Sequence, residues 1–277
     1  MAIVFLLISA VSWTLFDLAR KKLVAGEAPL ALTLAFNLGA MPLYGLAWWL
    51  SGESIATPDY WLPSAVAAAL AALAAVGFIS ALKIGDIARV IPILALTPVI
   101  STVAAGLVLD ESLNLLQWLA MLVTVVAIVG AQGGLSHIKG KPFLLMLLVC
   151  SGWGIGIVFD KQALAHSGPF FHGLVQTAAG SVLLILFALI SGMPARLTTN
   201  PLRVIPALVV FVAAVVFQWL SLTELDAGVI ETVKRSIGII GALIAGVFVF
   251  NEQVTRARIL WCLVILSGIP VILQPEI

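Results

Sequence analysis

Ten apolar runs, each close to the length that a helix needs to cross a bilayer, follow one another along the chain. They fall at about 2–19, 29–50, 61–82, 87–109, 114–132, 143–159, 169–191, 204–222, 228–250 and 257–274. A crossing takes about 20 helical residues at a rise of about 1.5 Å each. The connections are short and hold nearly all of the charge. No run alternates polar with apolar residues as a barrel strand does, and helices satisfy their own backbone groups in lipid. The spacing therefore predicts an all-α integral membrane protein with ten transmembrane helices, multi-pass in a cell membrane of the bacterial inner membrane type. Composition agrees: 62% of residues are hydrophobic and the mean hydropathy is +1.19, more than one soluble core can bury.

Several function classes drop out at once. A net charge of +1 leaves no basic face for nucleic acid. Cys150 and Cys262 lie in apolar runs without a metal-binding or redox spacing, so both read as packing residues. Residues 2–19 lack a preceding basic segment and are followed by Arg20, Lys21 and Lys22, which suits a first transmembrane helix better than a signal peptide. No cofactor or metal is expected from any motif.

The chain repeats itself. Ser12-Trp13 followed by Lys21 matches Gly152-Trp153 followed by Lys161, a shift of 140. GLVLDESLNLLQW at 106–118 matches GVFVFNEQVTRAR at 246–258, aligning Glu111 with Glu252 at a shift of 141. Two units follow, 1–137 and 142–277, with five helices each. Five is odd, so the second unit enters the bilayer from the opposite side, and the prediction is two inverted five-helix repeats.

ALKIGDIARVIPILALTPVISTVAAGLVLDE at 81–111, with Pro92, Pro98 and Glu111, resembles the end of an EamA-type repeat, and SIGIIGALIAGVFVFNE at 236–252 resembles a second copy. The resemblance covers essentially the whole chain and points to the drug/metabolite transporter superfamily. It implies ten helices, a central cavity between the halves and movement of a small metabolite. The second copy departs from the first in having Gly238 and Ile239 where the first has Thr97 and Pro98.

Orientation stays open. Connections after the odd-numbered helices hold eleven of the fourteen Lys and Arg residues, which by the positive-inside rule puts both termini outside. The family resemblance implies both termini inside.

The stretch ELDAGVIETVKRSIG at 224–238 carries five charges: Glu224, Asp226, Glu231, Lys234 and Arg235. Counting back about 20 residues from Glu252 places Lys234 and Arg235 in the first turns of the ninth helix, with Glu231 on the same face. The corresponding first-half residues, Val90, Ile93 and Leu94, are apolar. These charges either snorkel to headgroups or form a docking point for an anionic group with Glu231 beside it. Asp17 follows Trp13 by four residues, so one helix face offers a ring and a carboxylate to a cationic amine; the alternative is a salt bridge to Lys21. Trp153 repeats the ring in the second half. Asn37 and Gln176 occupy comparable mid-span positions and either bind substrate or join helices. Glu111 and Glu252 read as caps or boundary charges. His137, His166 and His172 show no partner for a metal or proton relay.

The functional expectation is a secondary transporter for a small polar metabolite such as an amino acid, working by alternating access around helices 1, 2, 6, 7 and 9. Candidate substrate-binding residues are Trp13, Asp17, Asn37, Trp153, Gln176, Glu231, Lys234 and Arg235. Partners would be the small-molecule substrate, membrane lipid and a coupling proton; monomer and homodimer both stay open. The alternative is a polytopic membrane enzyme acting on a lipid or lipid-linked substrate, although no catalytic motif is present.

Overall fold

The computed structural model describes residues 1–24, 27–84, 91–131, 140–197, 201–250 and 255–273. Within them lie ten α-helices: α1 (Ala2–Val24), α2 (Pro29–Ser51), α3 (Trp61–Ile84), α4 (Thr97–Val108), α5 (Leu115–Ala131), α6 (Lys141–Leu164), α7 (Pro169–Ser191), α8 (Ile205–Leu222), α9 (Ala227–Phe250) and α10 (Arg256–Ile272). Six are long and apolar enough to cross a membrane. Of the others, α4, α5 and α10 have only 12, 17 and 17 residues, and α9 has 24, with Glu231, Lys234 and Arg235 near its start.

The fourth run differs most from expectation. Residues 91–96 form a 3-10 segment and the α-helix begins only at Thr97. Pro98 then sits in the first turn, where its missing N–H and fixed φ are tolerated, so it starts this helix instead of kinking it. Pro42 and Pro270 do lie inside helices, α2 and α10. The sixth run continues past residue 159 to Leu164, which puts Asp160 and Lys161 on the helix itself.

Helices α2 and α7 show the repeat at the level of their ends. Pro29 opens one and Pro169 the other, while Gly52 and Gly192 close them with φ of 68° and 65°. Only glycine adopts that left-handed conformation without strain, so Ser-Gly at 51–52 and 191–192 is a stop signal used twice.

Packing follows the repeat but crosses it. The principal partners are α1 with α8 and α9, α6 with α3 and α4, α2 with α7, α4 with α9, and α5 with α10. Exchanging each helix for its counterpart five places along maps this set onto itself. Neither unit therefore has a core of its own; the apolar interior lies between units, as in the cluster joining Leu6, Tyr44, Ile157, Val158, Trp219, Ile230 and Val233. Small residues permit the closest approach: a Cβ on Gly152 would stand 2.9 Å from the Ala74 Cβ and 3.0 Å from the Leu70 carbonyl oxygen, so the alanine face of α3 meets glycine of α6.

One end of the bundle is tied together by its connections. The Thr57 N–H donates to the His166 carbonyl at 3.2 Å, and Gln117 Nε2 to the Ile272 carbonyl at 3.3 Å. Glu53, beyond the end of α2, accepts from the Phe170 and Phe171 N–H groups at 3.1 and 2.9 Å. Glu111, beyond the end of α4, accepts from the Ala227 N–H at 3.1 Å. Each carboxylate thus caps the helix that is its own helix's counterpart in the other unit, satisfying orphan donors at the positive dipole end. Glu111 is a cap, as its position suggested; Glu252 lies outside the described residues.

Candidate functional site

Six of the sequence candidates converge at mid-span. Glu231, Lys234 and Arg235 are the fifth, eighth and ninth residues of α9, about 6 to 12 Å along the helix from its start. They point inward: Glu231 is 1% exposed, and the Lys234 and Arg235 side chains are 11% and 17% exposed. Snorkelling to headgroups therefore does not describe them. Glu231 pairs with Lys234, and its Oε2 lies 3.4 Å from the Arg235 guanidinium.

The α9 charges are held from both units. Gln218 of α8 accepts at one oxygen from the Trp13 indole N–H and from Lys234, each at 2.9 Å. Lys234 also lies 5.5 Å from the centre of the Trp13 ring, and Arg235 lies 5.7 Å from that of Trp153. Aromatic faces stabilise cations electrostatically without removing their charge, an effect that strengthens away from water. Asp17 is placed within electrostatic range of Lys234. It pairs with Arg20 at 2.9 Å and is 49% exposed; the Lys21 side chain considered from sequence lies outside the described residues.

Arg20 is the principal addition to the site. Because α1 runs on to Val24, Arg20 belongs to the helix, sits 4.5 Å from the Phe78 ring centre, and is within electrostatic range of Arg235. Phe78 in turn packs on Trp153 at 5.2 Å. Three cations, Arg20, Lys234 and Arg235, then face two carboxylates, Asp17 and Glu231. An arrangement of this kind favours an anionic group in the space between them.

One atom marks where that group would act. Among the described residues, Arg235 Nε is buried and has no hydrogen-bond partner, which is costly for a charged group, and Glu231 Oε2 beside it is engaged only by the Arg235 guanidinium at 3.4 Å. Two small cavities described elsewhere in the bundle, one beside Glu111 and Gly228 and one beside Thr33 and Met193, are not lined by the cluster.

Asn37 and Gln176 lie elsewhere. Asn37 abuts Gly180 across the α2–α7 contact. Gln176 donates to both the carbonyl and the hydroxyl of Ser64, at 2.9 and 3.0 Å, and so joins α7 to α3.

His172 corrects the sequence reading. Its ring is wholly buried, with Nδ1 3.0 Å from the Tyr60 hydroxyl and Nε2 3.1 Å from Asp160. The partners are 112 and 12 residues away, and the nearer one lies just beyond the apolar run at 143–159, on the last turns of α6. His166 lies in the α6–α7 turn, and His137 is outside the described residues. Next to Asp160, Lys161 pairs with Glu111 and donates to the Leu225 carbonyl at 2.9 Å.

The ten-helix bundle with two units and a buried charged centre belongs to the class of membrane transporters. The EamA-like transporter family model matches residues 1–131 and 140–274, and the chain belongs to that family. A solved structure described only as "Crystal structure of protein" superposes with a TM-score of 0.78 at 15% identity. It covers 96% of this chain and 97% of its own, a likeness of fold. No curated relative matches.

Proposed function

We propose that the protein is a secondary transporter, driven by a gradient or by exchange, that carries a small zwitterion of the amino-acid kind across the cell membrane. The observation that supports it is the buried Arg235 Nε, which has no hydrogen-bond partner among the described residues, beside the buried Glu231 carboxylate. A ligand carboxylate satisfies the first with Lys234 as its neighbour, and a ligand ammonium approaches the second. Trp13 and Trp153 then flank the hydrocarbon part of the ligand. Asp17, the most exposed of the five charged groups, holds Arg20 in place and meets the ligand first.

Alternating access requires two bodies that move about the site. The packing suggests that each body mixes the units: α1, α8 and α9 in one, α3, α4 and α6 in the other. They exchange under the repeat, and with five helices per unit the two units run inverted. The end that carries both termini holds Lys161 against Glu53, Asp59, Asp110, Glu111, Asp160, Glu224 and Asp226 among the described residues. The positive-inside rule turns that end outward.

Uptake into proteoliposomes tests the reading with a ¹⁴C-labelled mixture of the twenty amino acids. Saturable uptake with counterflow against the preloaded unlabelled mixture is expected. Absence of counterflow for every member, or recovery of a chemically altered product, would remove it.

A further inference from the structure

We propose that the protein binds a proton at His172, between Asp160 and Tyr60, and that this proton drives the transport step. The proposal rests on the transporter reading but concerns a second site, apart from the mid-span cluster. Three elements build it: Asp160 from α6, His172 from the second turn of α7, and Tyr60 from the turn that precedes α3.

The hydrogen-bond inventory allows two states. An ionised Asp160 only accepts, so Nε2 carries the hydrogen and Nδ1 accepts from the Tyr60 hydroxyl. One added proton puts a hydrogen on Nδ1 as well. Tyr60 then accepts from the ring and turns its own O–H to the Ser64 hydroxyl, which is within hydrogen-bonding reach. Ser64 still accepts from Gln176 on its remaining lone pair. Both ring nitrogens, the facing Asp160 oxygen and the Tyr60 O–H therefore have a partner before and after.

Charge gives the site its use. Unloaded, the Asp160–His172 pair carries one net negative charge; loaded, it is neutral. A neutral pair crosses a low-dielectric transition far more readily than a lone carboxylate. Asp160 is 19% exposed, which opens the pair to water at the terminus-bearing end, whereas the ring is fully enclosed. The surroundings admit a proton. Lys161, adjoining Asp160, is engaged by Glu111 and Asp226. Glu53 adds a carboxylate at the start of α7. Tyr44 and Trp219 pack here too, and the Tyr44 hydroxyl and Trp219 indole N–H are buried without a partner. The site therefore holds more hydrogen-bonding capacity than its own residues use.

Coupling has a physical path. The His172 ring meets Trp219 with centroids 4.7 Å apart, and Trp219 adjoins Gln218, which holds Trp13 and Lys234.

The decisive measurement is ¹⁵N NMR of histidine-labelled protein in nanodiscs. His137→Gln and His166→Gln leave His172 as its sole histidine, with a purification tag that contains none. Nδ1 should gain a hydrogen between about pH 5 and 9, and Asp160→Asn should move the midpoint by about tenfold or more in proton concentration. An Nδ1 unchanged across that range, or a midpoint indifferent to Asp160→Asn, overturns the proposal. In proteoliposomes with the labelled amino-acid mixture, an imposed pH gradient should drive accumulation. His172→Gln should lower that accumulation about tenfold relative to counterflow; equal loss of both, or loss of neither, counts against coupling. Failure of counterflow in the unaltered protein would sink the transporter reading and with it the driving role, while the NMR result still decides the proton site.

Discussion

Trp13 and Trp153, repeat counterparts 140 residues apart, each lie against one of two adjacent cations of a single helix: Lys234 against the first, Arg235 against the second. The rings obey the repeat, but the cations do not, since the first-half counterparts of the α9 charges are apolar. One repeated pair of rings thus frames an asymmetric centre. Each contact contributes about 0.5 to 2 kcal/mol depending on its dehydration. Trp153→Phe is expected to retain most of the transport and Trp153→Leu little, measured as counterflow at matched protein levels.

Glu231 neutralises two buried cations, so Glu231→Gln leaves both uncompensated. A loss of about 3 to 5 kcal/mol in stability is expected, read from the unfolding midpoint in detergent. Combining it with Lys234→Gln should restore part of that stability without restoring transport. If the single variant is as stable as the parent, the buried pairing is wrong.

Arg235→Gln and Asp17→Asn separate binding from folding. Each removes a charge while the chain stays folded in the membrane, since Asp17 is half exposed and Glu231 keeps Lys234. Both should lower uptake; unchanged uptake in the two would eliminate this centre as the binding site.

The crossed caps make a prediction with separate readouts. Glu53→Gln should speed hydrogen exchange at Phe170 and Phe171, and Glu111→Gln at Ala227, each by the five- to tenfold expected for a cap worth about 1 kcal/mol. Faster exchange confined to the capped helix, α7 for Glu53 and α9 for Glu111, fits the capping; exchange indifferent to both variants contradicts it.

Gly152→Ala is expected to cost about 1 to 3 kcal/mol, because the obstacle includes the Leu70 backbone oxygen, which cannot step aside. Thermal unfolding of the purified protein checks it.

The helices were legible because length and hydropathy are local properties, and the repeat because Trp13 and Glu111 have visible echoes. The fourth span was misjudged at its start, where Pro92 and Pro98 replace an α-helix by a 3-10 segment first. The Ser-Gly stop after α2 and α7 was legible in principle and went unused. Glu231, Lys234 and Arg235 stood out as charges in an apolar run, but their depth depended on where α9 begins, at Ala227. Arg20 was hidden by a helix that continues beyond its apolar stretch. The His172 partners were invisible for a different reason: Tyr60 reaches the ring only through the folding of α2, α3 and α7 against one another. No spacing rule encodes a meeting of that kind.

The pairing of α5 with α10 has a consequence for how this molecule comes into being. During synthesis the fifth helix enters the lipid while α6 to α9 are still unmade, and its mate follows all four of them. Assembly in the membrane cannot proceed unit by unit; it waits for α10, and loss of that helix would strip a neighbour made long before.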